Sequence, residues 1–259
     1  MKKLLLFAGV VSLALSTVAA PEFADFASMS KAGAAAQNAK EYEKMYEIYS
    51  SWVPKASSDY QKYVCFFGVS RALREMKKFD DALKVTEEYI VANPPSVHKS
   101  AALLVKGVIY VAKNENDKAL AAFEDVLKEK EKHDYVIYQA LGHVMHLSFV
   151  GKNFDRCVEA ANQLIASGGK WGNIEHAYYY ATTALLDGKK IAECEKLSKD
   201  ALAVVKGSAY KARISYNYAQ CLLQREEEDE AIKYLQECVK LEPKSWRANN
   251  ARKTLQELE

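Results

Sequence analysis

An all-α solenoid of about six stacked helical hairpins, closed by a C-terminal capping helix, is the fold this sequence predicts, and three observations carry it. The slot held by Ala119 recurs as Met45, Ala82, Ala119, Cys157, Cys194 and Ala231, at intervals of 37, 37, 38, 37 and 37 residues. A second slot runs in step with it, occupied by Gly33, Ser70, Gly107, Met145, Thr182 and Ala219. Helix-stopping residues separate the units: Asn93-Pro94-Pro95, Ser167-Gly168-Gly169, Lys206-Gly207-Ser208 and Glu242-Pro243-Lys244.

The segment from Ser100 to His133 shows why the unit is a hairpin. Leu103, Gly107 and Tyr110 share one face of a first helix, and after the polar break Lys113-Asn114-Glu115, residues Ala119, Phe123, Val126 and Leu127 share one face of a second. Gly107 and Ala119 are the smallest residues on those faces, which lets the two backbones approach while Tyr110 and Phe123 fill the flanks. This unit resembles the tetratricopeptide repeat, whose pattern runs Trp-x2-Leu-Gly-x2-Tyr, then Ala-x3-Phe, then Pro. Here it reads Leu103-x2-Lys106-Gly107-x2-Tyr110, then Ala119-x3-Phe123, with Glu131 at the proline position.

Taken in order, the units span about 26–59, 63–96, 100–133, 138–171, 175–208 and 212–245, with the cap at 246–259. The first is alanine-rich in its first helix. The second and sixth match best, because Ala82 to Pro94 and Ala231 to Pro243 keep the proline spacing. A period of about 37 exceeds the usual 34 by about one helical turn. The closing helix, from Ser245 on, has Trp246 and Leu255 on one side and is expected to cover the apolar end of the stack.

Residues 1–20 read as an export signal: Met1-Lys2-Lys3 is the basic head, Leu4 to Leu15 the apolar core, and Ser16 to Ala20 the small-residue tail. The apolar run is short for a membrane span. Cleavage after Ala19, after Ala20 or just downstream stays open, since Pro21 follows. The whole chain has 36 basic and 34 acidic residues; without Lys2 and Lys3 the balance is 34 to 34, because the leader has no acid. A neutral mature chain lacks the basic stripe of a nucleic-acid binder. The expected location is exported, periplasmic or secreted, with no membrane span in the mature protein.

Five cysteines, Cys65, Cys157, Cys194, Cys221 and Cys238, show no Cys-x-x-Cys spacing, and two of them occupy the Ala119 slot. They read as small core residues. A bridge between Cys221 and Cys238 across one hairpin stays open.

The resemblance implies a right-handed superhelix whose first helices line a concave groove. Its groove-facing slots would hold Arg71, Arg74 and Glu75, then Leu104, Val108 and Val111, then Gln139, His146 and Phe149, then His176, Tyr179 and Thr183, then Arg213, Tyr216, Gln220 and Gln224. Aromatic walls, hydrogen-bonding groups and cations together suit an extended peptide or an amphipathic helix of another protein. The carboxylate clamp of chaperone-binding members of the family is not matched. The expected function is a non-catalytic protein-binding adaptor of a bacterial cell envelope, without cofactor or metal, similar to periplasmic repeat proteins that assist outer-membrane or wall-remodelling machinery.

Two rival readings belong to other classes. His143 and His146, three apart on one helix, with His176 one unit later, could supply three imidazoles to zinc in a metal carrier or enzyme. No His-Glu-x-x-His, phosphate loop or Gly-x-Ser-x-Gly accompanies them. The cluster Tyr178-Tyr179-Tyr180 could offer a platform to wall glycan, although aromatic rings routinely close helix contacts. The acidic run Glu226 to Glu230 reads as a solvated helix start whose carboxylates complement the helix dipole.

Overall fold

The computed structural model describes residues 21–94 and 96–258, and the expected leader lies outside the described residues. Every regular element among them is a helix. The chain divides into two compact units, one ending at Val136 and one beginning at Ile137.

The first unit holds three hairpins: α1 (Phe26–Asn38) with α2 (Tyr42–Trp52), α3 (Asp59–Glu75) with α4 (Phe79–Ala92), and α5 (Val97–Ala112) with α6 (Asn116–Lys128). A 3-10 turn at Val53–Lys55 follows α2. The second unit holds most of α7 (Asp134–Val150), then α8 (Phe154–Ala166), α9 (Glu175–Asp187), α10 (Ile191–Val204), α11 (Ser208–Leu223), α12 (Glu228–Leu241) and α13 (Trp246–Leu258). From α1 to α6 and from α8 to α13 consecutive helices pack together, and the first helix of one hairpin also packs on the first helix of the next, as α3 does on α5 and α9 on α11. That pattern is a solenoid's, in which each hairpin hides its apolar flank against its neighbour.

The sequence ladder lies at the centre of the packing. Met45, Ala82, Ala119, Cys157, Cys194 and Ala231 are at most 1% exposed. Their partners meet ring on backbone: Gly107 lies against Phe123, and Tyr49 packs between Gly33 and Gly68. Where the crossing slot is polar, the polarity is satisfied, since Ser70 Oγ lies 3.1 Å from Thr86 Oγ1, which donates to the carbonyl of Ala82 at 2.7 Å.

One turn is repeated six times. After the first helix of each hairpin a single residue enters the left-handed region: Lys40, Lys77, Asn114, Lys152, Lys189 and Glu226, with φ between 59° and 63°. The next residue's N–H returns to a carbonyl five residues back, as Glu115 N does to Tyr110 O at 2.9 Å and Lys190 N to Leu185 O at 2.8 Å. This bond satisfies carbonyls at the helix end and is the usual helix-stopping turn, normally built on glycine. No glycine occupies these six positions, so the sequence gives little sign of it.

The five cysteines are free and buried, in keeping with the reading of them as small core residues, and the open pairing of Cys221 with Cys238 is not formed. One expectation is corrected. In α13, Trp246 does not cover the core, being 58% exposed, while Ala248 and Ala251 are fully buried.

Candidate functional site

In the second unit the first helices bring together residues far apart in sequence, with Tyr179 on α9 as the hub. The guanidinium of Arg213, on α11, lies over the Tyr179 ring at 5.5 Å and over the Tyr210 ring at 5.7 Å. Arg247, on α13, lies over the same Tyr179 ring at 5.1 Å and over Trp246 at 4.4 Å, and its Nη2 donates to Tyr179 Oη at 2.7 Å. One tyrosine therefore holds two cations, an arrangement that the negative faces of aromatic rings favour. Residues 179, 213 and 247 stand 34 apart, three short of the 37-residue period, so each arginine sits about one helical turn before the slot equivalent to its predecessor on the next first helix.

The hub is fixed from beneath by buried hydrogen bonds. Asn217 Nδ2 donates to Thr182 Oγ1 at 3.0 Å and to Thr183 Oγ1 at 2.9 Å. Both hydroxyls donate in turn to the carbonyl of Tyr179, at 3.1 and 2.8 Å. A satisfied polar network inside a packed interface pins the register of α9 against α11.

The aromatic surface continues on both sides of the hub. Tyr180 lies 5.3 Å from Tyr179, and its hydroxyl meets His146 Nδ1 of α7 at 3.0 Å. On the other side Trp246 meets Tyr216 edge-on at 5.9 Å. Burial holds the Tyr180 hydroxyl above the usual phenol range.

The two arginines differ in their counter-ions. Arg213 forms an ion pair with Glu242, 3.1 Å from Nη2 and 3.5 Å from Nε, and that carboxylate strengthens its hold on the proton. Arg247 is only 8% exposed, its Nε is buried without a partner, and among the described residues no carboxylate bonds to it. Asp187 feels its charge, yet burial outweighs that influence and raises the Asp187 carboxyl above its usual range.

The remaining expected groove residues are placed as follows. His176 leaves the belt and packs edge-on against Tyr138 at 5.6 Å, and burial pushes its imidazole below the usual value. Gln220 sits half-buried further along α11 and makes none of these contacts. In the first unit Arg74 pairs with its own neighbour Glu75 at 3.2 Å, and Arg71 is half-buried with an unpartnered Nε. Leu104 and Val108 are half-buried on α5. The three histidines do not converge: His146 serves Tyr180 while His176 serves Tyr138, and among the described residues no three His, Cys, Asp or Glu side chains form a metal-binding group.

Tyr210, Trp246 and Arg247 are site residues that the slot reading does not reach. The available signal is the spacing of 34 from Tyr179 through Arg213 to Arg247, one helical turn short of the period, hidden by assigning the closing helix to capping alone.

Comparison with known proteins gives one family and one fold. Two tetratricopeptide-repeat profiles match, over residues 70–134 and 212–245. No curated protein matches the sequence. Among solved structures, YrrB, described as a TPR protein with an unusual peptide-binding site, superposes with TM-score 0.60 at 13% identity, over 79% of this chain and 97% of that one. The C-terminal part of a TPR repeat-containing protein from Cytophaga hutchinsonii gives 0.56 at 14% identity, over 83% and 79% of the two chains. MamA from Desulfovibrio magneticus RS-1, from residue 41 to its end, gives 0.55 at 13% identity, over 73% and 98%.

Proposed function

Since this chain is a tetratricopeptide-repeat protein, a scaffold that binds protein partners, we propose that it is a non-catalytic adaptor of the bacterial cell envelope which holds a peptide or helix of its partner along the aromatic and arginine face of its second unit. The observation that carries this reading is Tyr179 held between Arg213 and Arg247, beside a tryptophan that is 58% exposed. Tryptophan, tyrosine and arginine dominate binding energy at protein interfaces, because they combine large contact area with few internal degrees of freedom. The buried polar network holds the Tyr179 backbone in place before a partner arrives, which lowers the ordering cost of binding. YrrB offers a precedent for a peptide ligand on the same fold.

The envelope location rests on the sequence of residues 1–20, with its basic head, apolar core and small-residue tail. Among the described residues, no helix is long and apolar enough to cross a membrane.

Photo-crosslinking in intact cells tests the reading. A benzophenone amino acid replaces Trp246 or Tyr216 on the proposed face, and replaces Val91 or Val204, which are 86% and 53% exposed on second helices, as controls. A protein adduct at Trp246 and Tyr216 alone is expected, in the fraction released from the envelope. Adducts of equal yield at Val91 and Val204 remove this face from consideration, and adducts confined to the cytosol remove the location.

A further inference from the structure

Arg247 is a buried cation without a counter-ion, and this sets it apart from its neighbour. It is 8% exposed, its Nε is buried without a partner, its Nη2 donates to Tyr179 Oη, and among the described residues no carboxylate bonds to its guanidinium. Glu242 is taken by Arg213 at 3.1 Å. Arg252, the other cation of α13, is already held by Asn249 Oδ1 at 3.0 Å and the carbonyl of Pro243 at 2.8 Å. Asp187 bears on Arg247 only through its charge, without a bond. An ion withdrawn from water is stable only when paired and hydrogen-bonded, and a tyrosine hydroxyl with two ring faces meets only part of that need.

Resting on the proposed binding face, we infer that Arg247 is the reader of one acidic side chain, an Asp or Glu within the partner's segment, whose carboxylate supplies the counter-ion that this chain withholds. The charges favour a carboxylate over a phosphate: Arg213 is paired with Glu242, Arg247 has no bonded carboxylate, and Asp187 already adds negative charge nearby, so a monoanion fits where a dianion would be repelled. The planar fork of a guanidinium suits a carboxylate held through two oxygens. The contacts also place the arginine within a row rather than at its end. In the chain of contacts Arg247 is internal: Trp246 lies 4.4 Å and Tyr179 5.1 Å from its guanidinium, Tyr216 follows Trp246, and Tyr180 and His146 follow Tyr179. A segment lying on this row continues past Arg247 both ways, so its acid is an internal side chain and not a chain end. The exposed ring of Trp246 and the half-buried ring of Tyr216 receive apolar residues flanking that acid.

The test uses the full mature chain and random dodecapeptide arrays made in two versions, one with amidated and one with free C-termini. Peptides bound by the native protein are retested against Tyr179→Ala, and those that lose binding are remade with each Asp or Glu changed to Asn or Gln, then measured by titration of tryptophan fluorescence. One acid-to-amide change is expected to weaken binding tenfold or more. Arg247→Gln should weaken the acidic peptide to the level of its amide version and leave the amide version unmoved. Because the first comparison alters only the peptide, it holds even if a variant protein folds poorly, and thermal melts of Arg247→Gln and Arg247→Lys check that point. Tyr179-dependent peptides that ignore their acids, or that need only a free C-terminus, overturn the inference while leaving the binding face intact. Competition by millimolar acetate or inorganic phosphate as strong as by the acidic peptide reduces the site to a general anion trap and also overturns it. An array with no Tyr179-dependent binder counts against the face itself and the inference together.

Discussion

A Cβ added to Gly107 would stand 2.4 Å from Cε1 of Phe123, closer than real Cβ atoms come to a ring. Glycine is therefore a packing requirement at this crossing, and the same geometry holds for Gly33 and Gly68 against Tyr49. Gly107→Ala is expected to lower unfolding stability by about 1–3 kcal/mol, the usual cost of overpacking a close-packed site. Gly142 sits inside α7 with nothing within 4 Å of an added Cβ, so Gly142→Ala should raise stability by about 0.5–1 kcal/mol through backbone entropy and helix propensity. Urea denaturation of the two variants checks the contrast, and equal signs would contradict the crossing.

The left-handed residues of the six turns give a second prediction. Lys77 at φ 61° and Lys189 at φ 60° carry side chains where glycine is at ease. Lys77→Gly and Lys189→Gly should each stabilise the protein, by about 1 kcal/mol, because an L side chain is strained there. Lys199→Gly, inside α10 of the same hairpin as Lys189, should instead cost about 1 kcal/mol. Thermal melts of the three variants distinguish the positions, and a loss at Lys189 would mean that its turn is not left-handed.

Thiol chemistry follows from burial. Burial pushes the thiols of Cys65 and Cys157 up to about 12 and that of Cys238 up to about 11, so almost no thiolate is present near neutral pH. A maleimide should leave these three unlabelled in the folded protein and label all five cysteines after unfolding. Under prolonged oxidant, mass spectrometry should find any crosslink between Cys194 and Cys221, which share one buried cluster where α10 packs on α11. A crosslink from Cys221 to Cys238 would show that α11 and α12 pack differently.

Acid sensitivity is expected in the second unit. Burial pushes the imidazoles of His143 and His176 below the usual value, and the nearby His146 lowers His143 further. The unfolded chain then binds these protons more readily than the folded one, so stability is complete above about pH 6.5, the ordinary histidine value, and falls as pH drops through it toward the lowered folded values. Replacing both with asparagine should flatten the fall in denaturation midpoint between about pH 7 and 5. An unchanged slope would place the acid sensitivity elsewhere, for instance in the Glu175 carboxylate, which accepts the N–H groups of Lys206 at 2.8 Å and Gly207 at 3.0 Å and is lost only at lower pH.

The fold was legible in the sequence because its determinants are local. A small side chain where two helices cross is a volume constraint repeated once per hairpin, so Ala82, Ala119, Cys194 and Ala231 announce themselves by period and are all fully buried. The proposed face was legible only in part. Tyr179, Arg213 and Tyr216 follow from slot positions, but Arg247 depends on how α13 is rotated about its own axis. The stripe Ala248, Ala251, Leu255 and Leu258 turns inward to the core of α11 and α12, which sends Trp246 outward and Arg247 into the row of first helices.

The sequence by itself determined the hairpins, their period and their order, since turn residues and helix faces act over a few residues at a time. The tertiary structure alone decided which of three adjacent tyrosines holds two arginines, and which arginine lacks a counter-ion. The reason is physical. Tyr179 and Arg247 are 68 residues apart, and their contact exists only when three stacked first helices set their distance and the packing of small residues sets each helix's rotation.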